Sequence, residues 1–180
     1  MNIIKTPIQD LLVLEPSVFS DERGSFFESY NKSFFKKIGL DIDFFQENQS
    51  LSAKNVLRGL HFQNPPFEQG KLVRVIAGAV LDVAVDIRRA SKTYGKYFSI
   101  ELTGYNNKML WIPSGFAHGF LSLEENTIFS YKCSAVYNKA SEGSLMWNDK
   151  DLNIDWGIKD PILSKKDNLA HNFIDFRSKF

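Results

Sequence analysis

The sequence predicts an all-β domain, built as an antiparallel sandwich or barrel. Aromatic residues make up 14% of its 180 residues, which suits a sheet-rich core where large flat rings pack across strands. Apolar residues alternate along residues 79–87, 97–103 and 128–136, and this is the period of a strand. Few segments have helical periodicity, so the helical crossovers that a parallel sheet needs are missing.

Each predicted element has its own signal along the chain. Extended runs occur at residues 11–19, 25–30, 44–52, 56–63, 71–77, 79–87, 97–103, 108–113 and 128–136. Turn signals separate most of them, at residues 21–24, 64–66, 78, 104 and 113–115. Residues 79–87 are apolar at every odd position, which predicts a half-buried strand. Only residues 31–38 and the tail after Ser164 look helical. The sequence contains no linker and no internal repeat, so we expect residues 1–180 to form a single domain.

Composition excludes several classes of protein. With 22 basic and 21 acidic residues the net charge is +1, so no overall field favours nucleic acid or an anionic membrane. Cys133 is the only cysteine, which excludes an internal disulfide and a cysteine-built metal site. The longest apolar-rich run, residues 76–85, is too short to span a bilayer. We therefore expect a cytoplasmic protein with neither a nucleic-acid nor a membrane partner.

The most informative segment is VLRGLHFQ at residues 56–63, where Arg58 and His61 interrupt an apolar run. A cation and a titratable ring are unusual strand fillers, so this segment predicts a site. Strict alternation sends the two side chains to opposite faces. A bulge at Gly59 could re-aim the chain, or Arg58 could reach in from the rim.

Other strands offer further polar candidates. Lys71 shares strand parity with the apolar Val73, Tyr131 shares a face with Cys133, and His118 follows a turn in PSGFAHGF. Taken singly, these are ordinary residues: a lysine at a strand end, a core tyrosine bonded to a backbone carbonyl, a histidine that caps a turn. Together with His61 they predict a shared cavity.

Three polar clusters complete the set of candidates. In DERGSFFESY, Arg23 and Glu28 flank Gly24 and two phenylalanines, of which Phe26 is the first; a solvated hairpin is the alternative reading. In FFQENQS, Gln46 and Asn48 place two amides on one strand face, and LSKKD supplies Lys166 and Asp167.

These motifs together resemble the dTDP-4-dehydrorhamnose 3,5-epimerase family, whose members act in activated rhamnose synthesis. The matching segments are FSDERG, QENQS, LRGLHFQ, QGKLVRVIAGAVLDVAVDIR, IPSGFAHGF, Tyr131, Tyr137, Glu142 and ILSKKD, in family order. The resemblance implies a cupin-type jelly roll with a few short peripheral helices and no metal or other cofactor. It also implies a homodimer with shared active sites, in which an N-terminal strand of one subunit completes the site of its neighbour.

The resemblance implies four catalytic residues. His61 matches the base that removes a proton, and Asp167 matches the carboxylate that orients its ring. Lys71 matches the cation beside the substrate ketone, where it would stabilise an enolate. Tyr131 matches the proton donor on the opposite face, which inversion requires.

The resemblance also implies contacts with the nucleotide sugar. Arginines suit the diphosphate because their planar fork forms paired, charge-assisted hydrogen bonds. In the family, the residues that match Arg23 and Glu28 come from the partner subunit. The implied contact residues are Arg23, Phe26, Glu28, Gln46, Asn48, Arg58, Lys71, His118, Tyr137, Glu142 and Lys166.

Some alternatives stay open. Relatives that invert only carbon 3 or only carbon 5 share the same base, and a sugar-nucleotide-binding cupin without catalysis would keep the arginines and amides. Many cupins hold iron, manganese or zinc with two or three histidines, but the three histidines here include no closely spaced pair. The family has no counterpart that we identify for the tail, residues 171–180, and Lys165 replaces an acidic residue common in the last motif.

Overall fold

Thirteen short strands and one α-helix make up the regular structure. The computed structural model describes all residues, Met1–Phe180. The strands are β1 Asn2–Lys5, β2 Leu12–Glu15, β3 Phe19–Asp21, β4 Gly24–Phe26, β5 Gln46–Ser52, β6 Leu57–Gln63, β7 Lys71–Ala77, β8 Ala79–Asp86, β9 Tyr97–Thr103, β10 Met109–Ile112, β11 Phe116–Ser122, β12 Thr127–Cys133 and β13 Glu142–Ser144. Helix α1 is Lys32–Lys37, and single 3-10 turns occur at Lys139–Ser141, Asp167–Leu169 and Phe173–Asp175.

Two antiparallel sheets face each other and form a jelly roll. The first sheet has six strands in the order β1-β2-β10-β7-β12-β5, and the second has five in the order β13-β6-β11-β8-β9. Strands β3 and β4 form a separate hairpin. The predicted all-β jelly-roll class is confirmed, and β7 and β9 have the predicted bounds.

The core lies between the sheets. Thirteen buried residues form it, among them Val73, Leu110 and Phe129 from the first sheet and Val80 and Phe120 from the second. These residues occupy alternate positions of their strands, as the strand period requires. Any polar side chain that points into the interior must therefore lie on the same face of its strand as these core residues.

The strand predicted at residues 79–87 forms as β8, but the prediction that it is half-buried is wrong. Only Leu81 of β8 is partly accessible, because a second cluster covers the outer face of this sheet. Val83 and Val85 pack there with Trp147 and Trp156. The segment after β13 thus acts as an outer layer that the strand's own alternation does not reveal.

The two predicted helices had different outcomes. Helix α1 forms as expected, and Asn31 caps it by accepting a hydrogen bond from the Phe34 N–H at 3.1 Å. The helix predicted after Ser164 is wrong, since only two 3-10 turns form there. The tail backbone bonds to other segments instead; for example, the His171 carbonyl accepts from Met146 N–H at 2.8 Å. No helix of the chain has the length and apolar composition of a membrane span.

Candidate active site

A cavity of about 410 Å³ opens between the two sheets and collects most of the predicted site residues. Eight of them line it: Asn48, Arg58, His61, Lys71, His118, Tyr131, Lys166 and Asp167. Gln49, Ser50, Phe120 and Ser164 complete the lining. Residues from both sheets therefore converge on one space.

His61 and Asp167 form a pair on the wall of the second sheet. The Nε2 atom of His61 lies 2.6 Å from Oδ1 of Asp167, whose side chain is buried. Burial acts to raise the pKa of the Asp167 carboxyl, but the hydrogen bonds from His61 and Ser164, together with the charges of His61 and Lys166, outweigh this and hold that pKa below its ordinary value of 3.8. The carboxylate is therefore ionised at neutral pH and can only accept, so Nε2 carries the hydrogen and Nδ1 keeps the lone pair.

A bulge in β6 brings Arg58 and His61 into the same cavity. His61 lies opposite His118 of β11, whereas Arg58 lies opposite Phe120, so two residues of β6 face the single residue Gly119. Gly59 has φ +143°, and a Cβ atom there would lie 2.5 Å from the Cα of Gly119. Of the two alternatives that the sequence left open, the structure shows the bulge at Gly59, which shifts the strand period by one residue.

Lys71 and Tyr131 stand on the opposite wall, in the first sheet. The Lys71 Nζ lies 5.9 Å from the centre of the Tyr131 ring, and Lys71 is paired in register with Cys133. Burial lowers the pKa of the Lys71 ammonium group and raises the pKa of the Tyr131 hydroxyl. The tyrosine is thus kept as a proton-bearing hydroxyl at neutral pH.

His118 is bonded to an acidic residue that the sequence did not single out as part of a site. Its Nε2 lies 2.9 Å from Oδ2 of Asp82, a fully buried carboxylate of β8. Burial lowers the pKa of His118, although the Asp82 charge opposes that shift. An acidic residue between Val80 and Ala84 on the same strand face was the available signal.

Ser50 and Ser164 are two further residues that the sequence reasoning missed. Ser50 has the same strand parity as Gln46 and Asn48, so the strand period could have found it. Its hydroxyl oxygen is shielded from solvent and has no hydrogen-bond partner. Ser164 accepts a hydrogen bond from the Asp167 N–H at 3.1 Å and so helps fix the loop that carries this carboxylate.

Three further predicted contacts, Gln46, Tyr137 and Glu142, form a hydrogen-bonded group beside the cavity. The Gln46 amide donates to Asn48 at 3.0 Å and accepts from the Tyr137 N–H at 2.7 Å. The Tyr137 hydroxyl donates to Glu142 at 3.0 Å, and Lys166 forms an ion pair with the same carboxylate. Three segments that are far apart in the sequence are thereby joined.

Six predicted contacts do not line this cavity. Gln46, Tyr137 and Glu142 are bonded to one another and to the lining residues Asn48 and Lys166, whereas three others make no such contact within the chain. Arg23 is paired with Asp21 at 2.5 Å in the β3–β4 hairpin, Phe26 is 71% exposed, and Glu28 accepts from Asn31 at 3.0 Å. None of the three lines the cavity. No group of three or more His, Cys, Asp or Glu side chains is arranged to hold a metal ion.

Comparison with known proteins assigns the family. A sequence model described as dTDP-4-dehydrorhamnose 3,5-epimerase matches residues 5–175. The chain belongs to this family. The enzyme of that name from Salmonella typhimurium is 53% identical over 172 residues, which cover 94% of each chain.

Solved structures of family members share the whole fold. The dTDP-4-dehydrorhamnose 3,5-epimerase of Elizabethkingia anophelis is 49% identical, with a TM-score of 0.92 and 97% of each chain covered. A family structure from Legionella pneumophila, in complex with dTDP-4-keto-L-rhamnose, has a TM-score of 0.94 at 44% identity and covers 98% of this chain and 94% of its own. Each match covers nearly the whole chain, so the resemblance seen in separate motifs holds for the full architecture.

Proposed function

We propose that the protein converts dTDP-4-dehydro-6-deoxy-D-glucose to dTDP-4-dehydro-L-rhamnose by inverting carbons 3 and 5. One observation carries this proposal: a histidine–carboxylate pair and a partly buried tyrosine stand on opposite walls of one cavity, with a lysine beside the tyrosine. Family membership supplies the substrate class. Inversion at carbon needs removal of a proton from one face and its return on the other, and this pocket has a candidate for each task.

His61 is the proposed base. The Nδ1 lone pair takes the hydrogen from the carbon next to the ketone, and the electrons of that C–H bond move into an enolate. The Asp167 carboxylate, held 2.6 Å from Nε2, stabilises the imidazolium that forms. It also fixes the tautomer, because it can accept a hydrogen bond only from a protonated Nε2.

Lys71 is the proposed enolate stabiliser. A hydrogen beside a ketone is a weak acid, so the negative charge that develops on the ketone oxygen needs a fixed positive partner. The ammonium group lies in a partly dehydrated site, where a charge interaction is stronger than in water.

Tyr131 is the proposed acid. Its hydroxyl returns a proton to the opposite face of the same carbon, and burial keeps this hydroxyl protonated until then. Its strand, β12, belongs to the first sheet, and the strand of His61 belongs to the second. The two sheets of the jelly roll therefore supply the two faces of the reaction.

Contacts with the nucleotide diphosphate are proposed for the polar residues around the cavity. Arg58 is exposed and bonds weakly, at 3.3 Å to Ser52 and 3.5 Å to the Leu51 carbonyl, so its guanidinium is available for phosphate. Lys166 and Glu142, which form an ion pair with each other, are also proposed to contact the nucleotide sugar. Contacts with the nucleotide sugar are likewise proposed for Gln46, Asn48, His118 and Tyr137.

A homodimer is proposed because the site lacks three of its expected contacts. Arg23, Phe26 and Glu28 lie on or beside a hairpin that presents the exposed rings of Phe19 and Phe26. We propose that this hairpin enters the cavity of a partner subunit. Exposed aromatic side chains of this kind are typical of protein contacts.

Mixing two inactive variants tests the shared site. In a hybrid of Arg23→Ala and His61→Asn subunits, one cavity combines an intact base with an intact hairpin. Random exchange should restore about a quarter of wild-type activity, since half of the dimers are hybrids with one working site each. A mixture that stays inactive although hybrids form would refute the exchange of hairpins.

We also propose that residues 1–180 act as one domain in the cytoplasm and without a cofactor. The family match over residues 5–175 supports one domain. The absence of a membrane-spanning helix is compatible with this location, and the proposed steps use side chains alone.

A proton NMR time course in deuterated buffer tests the reaction. With the thymidine-linked 4-keto sugar, wild-type protein should exchange the hydrogens at carbons 3 and 5 and form the rhamno product. Exchange at one carbon would identify a mono-epimerase, and exchange at neither would leave a binding protein. Tyr131→Phe should retain more exchange than inversion; an equal loss of both would remove Tyr131 as the acid.

A further inference from the structure

The C-terminal tail, residues 170–180, lies behind the strand that carries the proposed base. It packs on the outer face of the second sheet, where Phe173, Phe176 and Phe180 join the cluster that includes Leu60 and Phe62 of β6. The sequence motifs of the site end at Asp167, so the tail has no role in the reaction as described so far. Three sets of contacts connect it to the His61–Asp167 pair.

The first set acts through Phe62, the neighbour of His61. Side chains alternate along a strand, so the Phe62 ring points away from the cavity while His61 points into it. The ring centre lies 5.3 Å from that of Phe176 and 6.5 Å from that of Phe180, both edge to face. Phe62 also touches Gly143, where a Cβ atom would lie 2.4 Å from the ring. The ring is therefore in contact with both the tail and β13.

The second set acts through β13. Ser144 of β13 pairs in register with His61, and the Leu145 backbone exchanges two hydrogen bonds with Leu60, at 2.9 and 3.2 Å. The tail forms backbone hydrogen bonds with β13 and the residues after it. The His171 carbonyl accepts from the Met146 N–H at 2.8 Å, and the His171 N–H donates to the Ser144 carbonyl at 3.4 Å. The strand of the base is therefore bordered by a strand that the tail itself holds.

The third set places Asp167 between two anchors. Upstream, the Ile162 carbonyl accepts from the Leu57 N–H of β6 at 3.0 Å. Downstream, the tail begins three residues after Asp167 and is fixed where the Phe173 N–H donates to the buried Asp149 at 2.8 Å. Its end is fixed where the Arg89 N–H donates to the Phe180 carbonyl at 3.1 Å. The loop of the carboxylate is thus held at both ends, and the downstream anchor is the tail.

We propose that the tail is a positioning element for the base: it presses on Phe62 and anchors the Asp167 loop, and so sets the contact between His61 and Asp167. This proposal rests on the proposed function, in which that contact orients the base. Phe176 is its main positioning residue, because it touches Phe62 and lies between the anchors at Phe173 and Phe180.

A double-mutant cycle tests the proposal. Phe176→Ala should lower kcat by about tenfold, as small displacements of catalytic groups are costly, and should leave the affinity for dTDP unchanged. In an Asp167→Asn background the same change should add little, about twofold or less, because the contact through which the tail acts is already lost. A full tenfold loss in that background would overturn the proposal, as would an unchanged kcat in the single variant.

Matched variants separate positioning from general destabilisation. Ile174→Ala changes an exposed side chain of the same tail, 68% exposed, and should leave kcat unchanged. Leu14→Ala creates a cavity in the separate cluster beneath α1; it should lower the melting temperature without lowering kcat per folded protein. If Leu14→Ala lowers kcat as much as Phe176→Ala does, the tail has only a structural role.

A spectroscopic measurement provides a readout that is independent of turnover. The short His61–Asp167 hydrogen bond should give a downfield ring N–H proton signal that disappears in His61→Asn. Phe176→Ala should shift or broaden this signal, and Phe176→Leu, which retains apolar bulk, should restore most of it and of kcat. An unchanged signal in Phe176→Ala would refute the proposal. If that variant does not fold, Phe180→Ala takes its place in the cycle with the same expected outcomes.

Failure of this proposal differs from failure of the proposed function. If wild-type protein exchanges no substrate hydrogen, the epimerase function is wrong whatever the tail does. If wild-type protein exchanges both hydrogens and the cycle is additive, only the role of the tail is wrong.

Discussion

Replacing Gly59 by alanine tests how one strand serves both ends of the substrate. The new Cβ would lie 2.5 Å from the Cα of Gly119, and the backbone has φ +143°, which side-chain-bearing residues rarely adopt. A residue forced into such a conformation costs about 1–3 kcal/mol, and overpacking adds about 1–3 kcal/mol. We therefore expect the free energy of unfolding to fall by about 2–6 kcal/mol.

The change should be visible in stability and in kinetics. For a domain of this size each kcal/mol lowers the melting temperature by about 2–4 °C, so a decrease of about 4–24 °C is expected. Because the bulge separates Arg58 from His61, relief of the clash moves one relative to the other. A displacement of about 1 Å lowers kcat/KM by about 10²-fold.

Gly157→Ala is the matched control. Gly157 also has a positive φ, +69°, but a Cβ atom there meets nothing within 4 Å. It should cost only about 1–2 kcal/mol and leave kcat/KM unchanged. Equal melting temperatures and equal kcat/KM for the two variants would refute the idea that contact between Gly59 and Gly119 sets the site.

Three further changes have defined outcomes. Asp167→Asn should lower kcat by about 10- to 10²-fold with little change in KM, because a hydrogen bond to a charged group worth about 1.5–3 kcal/mol is lost; an unchanged kcat would exclude the carboxylate from the mechanism. Lys71→Met should lower kcat by about 10²- to 10³-fold, whereas Lys132→Met, whose ammonium pairs with Glu47 at 2.7 Å, should not; equal effects would contradict the enolate role. Asp86→Asn should lower the free energy of unfolding by about 3–5 kcal/mol at neutral pH, because Arg88 loses its buried, charged partner. Burial acts to raise the pKa of Asp86, but hydrogen bonds, chiefly from Arg88, hold it below 3.8, so this stabilisation is present above pH 3.8 and is lost as pH falls further. Urea unfolding of both proteins as a function of pH should show the difference narrowing in acid, and a constant difference would contradict the assignment.

The central part of the fold could be predicted from the sequence. Strand β9 alternates over seven residues, which is enough for the strand period to be recognised, and β7 was found as an extended run of the same length. The spacing of Arg58 and His61 left two ways for both to reach one cavity, a bulge at Gly59 or a rim position of Arg58, and the sequence alone did not choose between them. The chemistry-bearing residues of the cavity were found through motifs, since His61 and Asp167 are 106 residues apart.

The remaining features depend on contacts between distant segments. Strand β13 has only three residues and exists because it pairs with β6. The tail looks helical because Phe173, Phe176 and Phe180 have helical spacing, yet these rings pack on the sheet from an irregular backbone. The partner of His118 was missed because Asp82 was read as a surface position of a half-buried strand. In each case tertiary packing overrides the local pattern.

Deuterium incorporation by the His61→Asn variant tests the central claim most directly. The variant is to be incubated with the thymidine-linked 4-keto sugar in deuterated buffer, beside wild-type protein, and followed by proton NMR. With His61 as the only base, it should incorporate no deuterium at carbon 3 or carbon 5 while it still binds dTDP. Incorporation at the wild-type rate at either carbon would show that another group removes that proton.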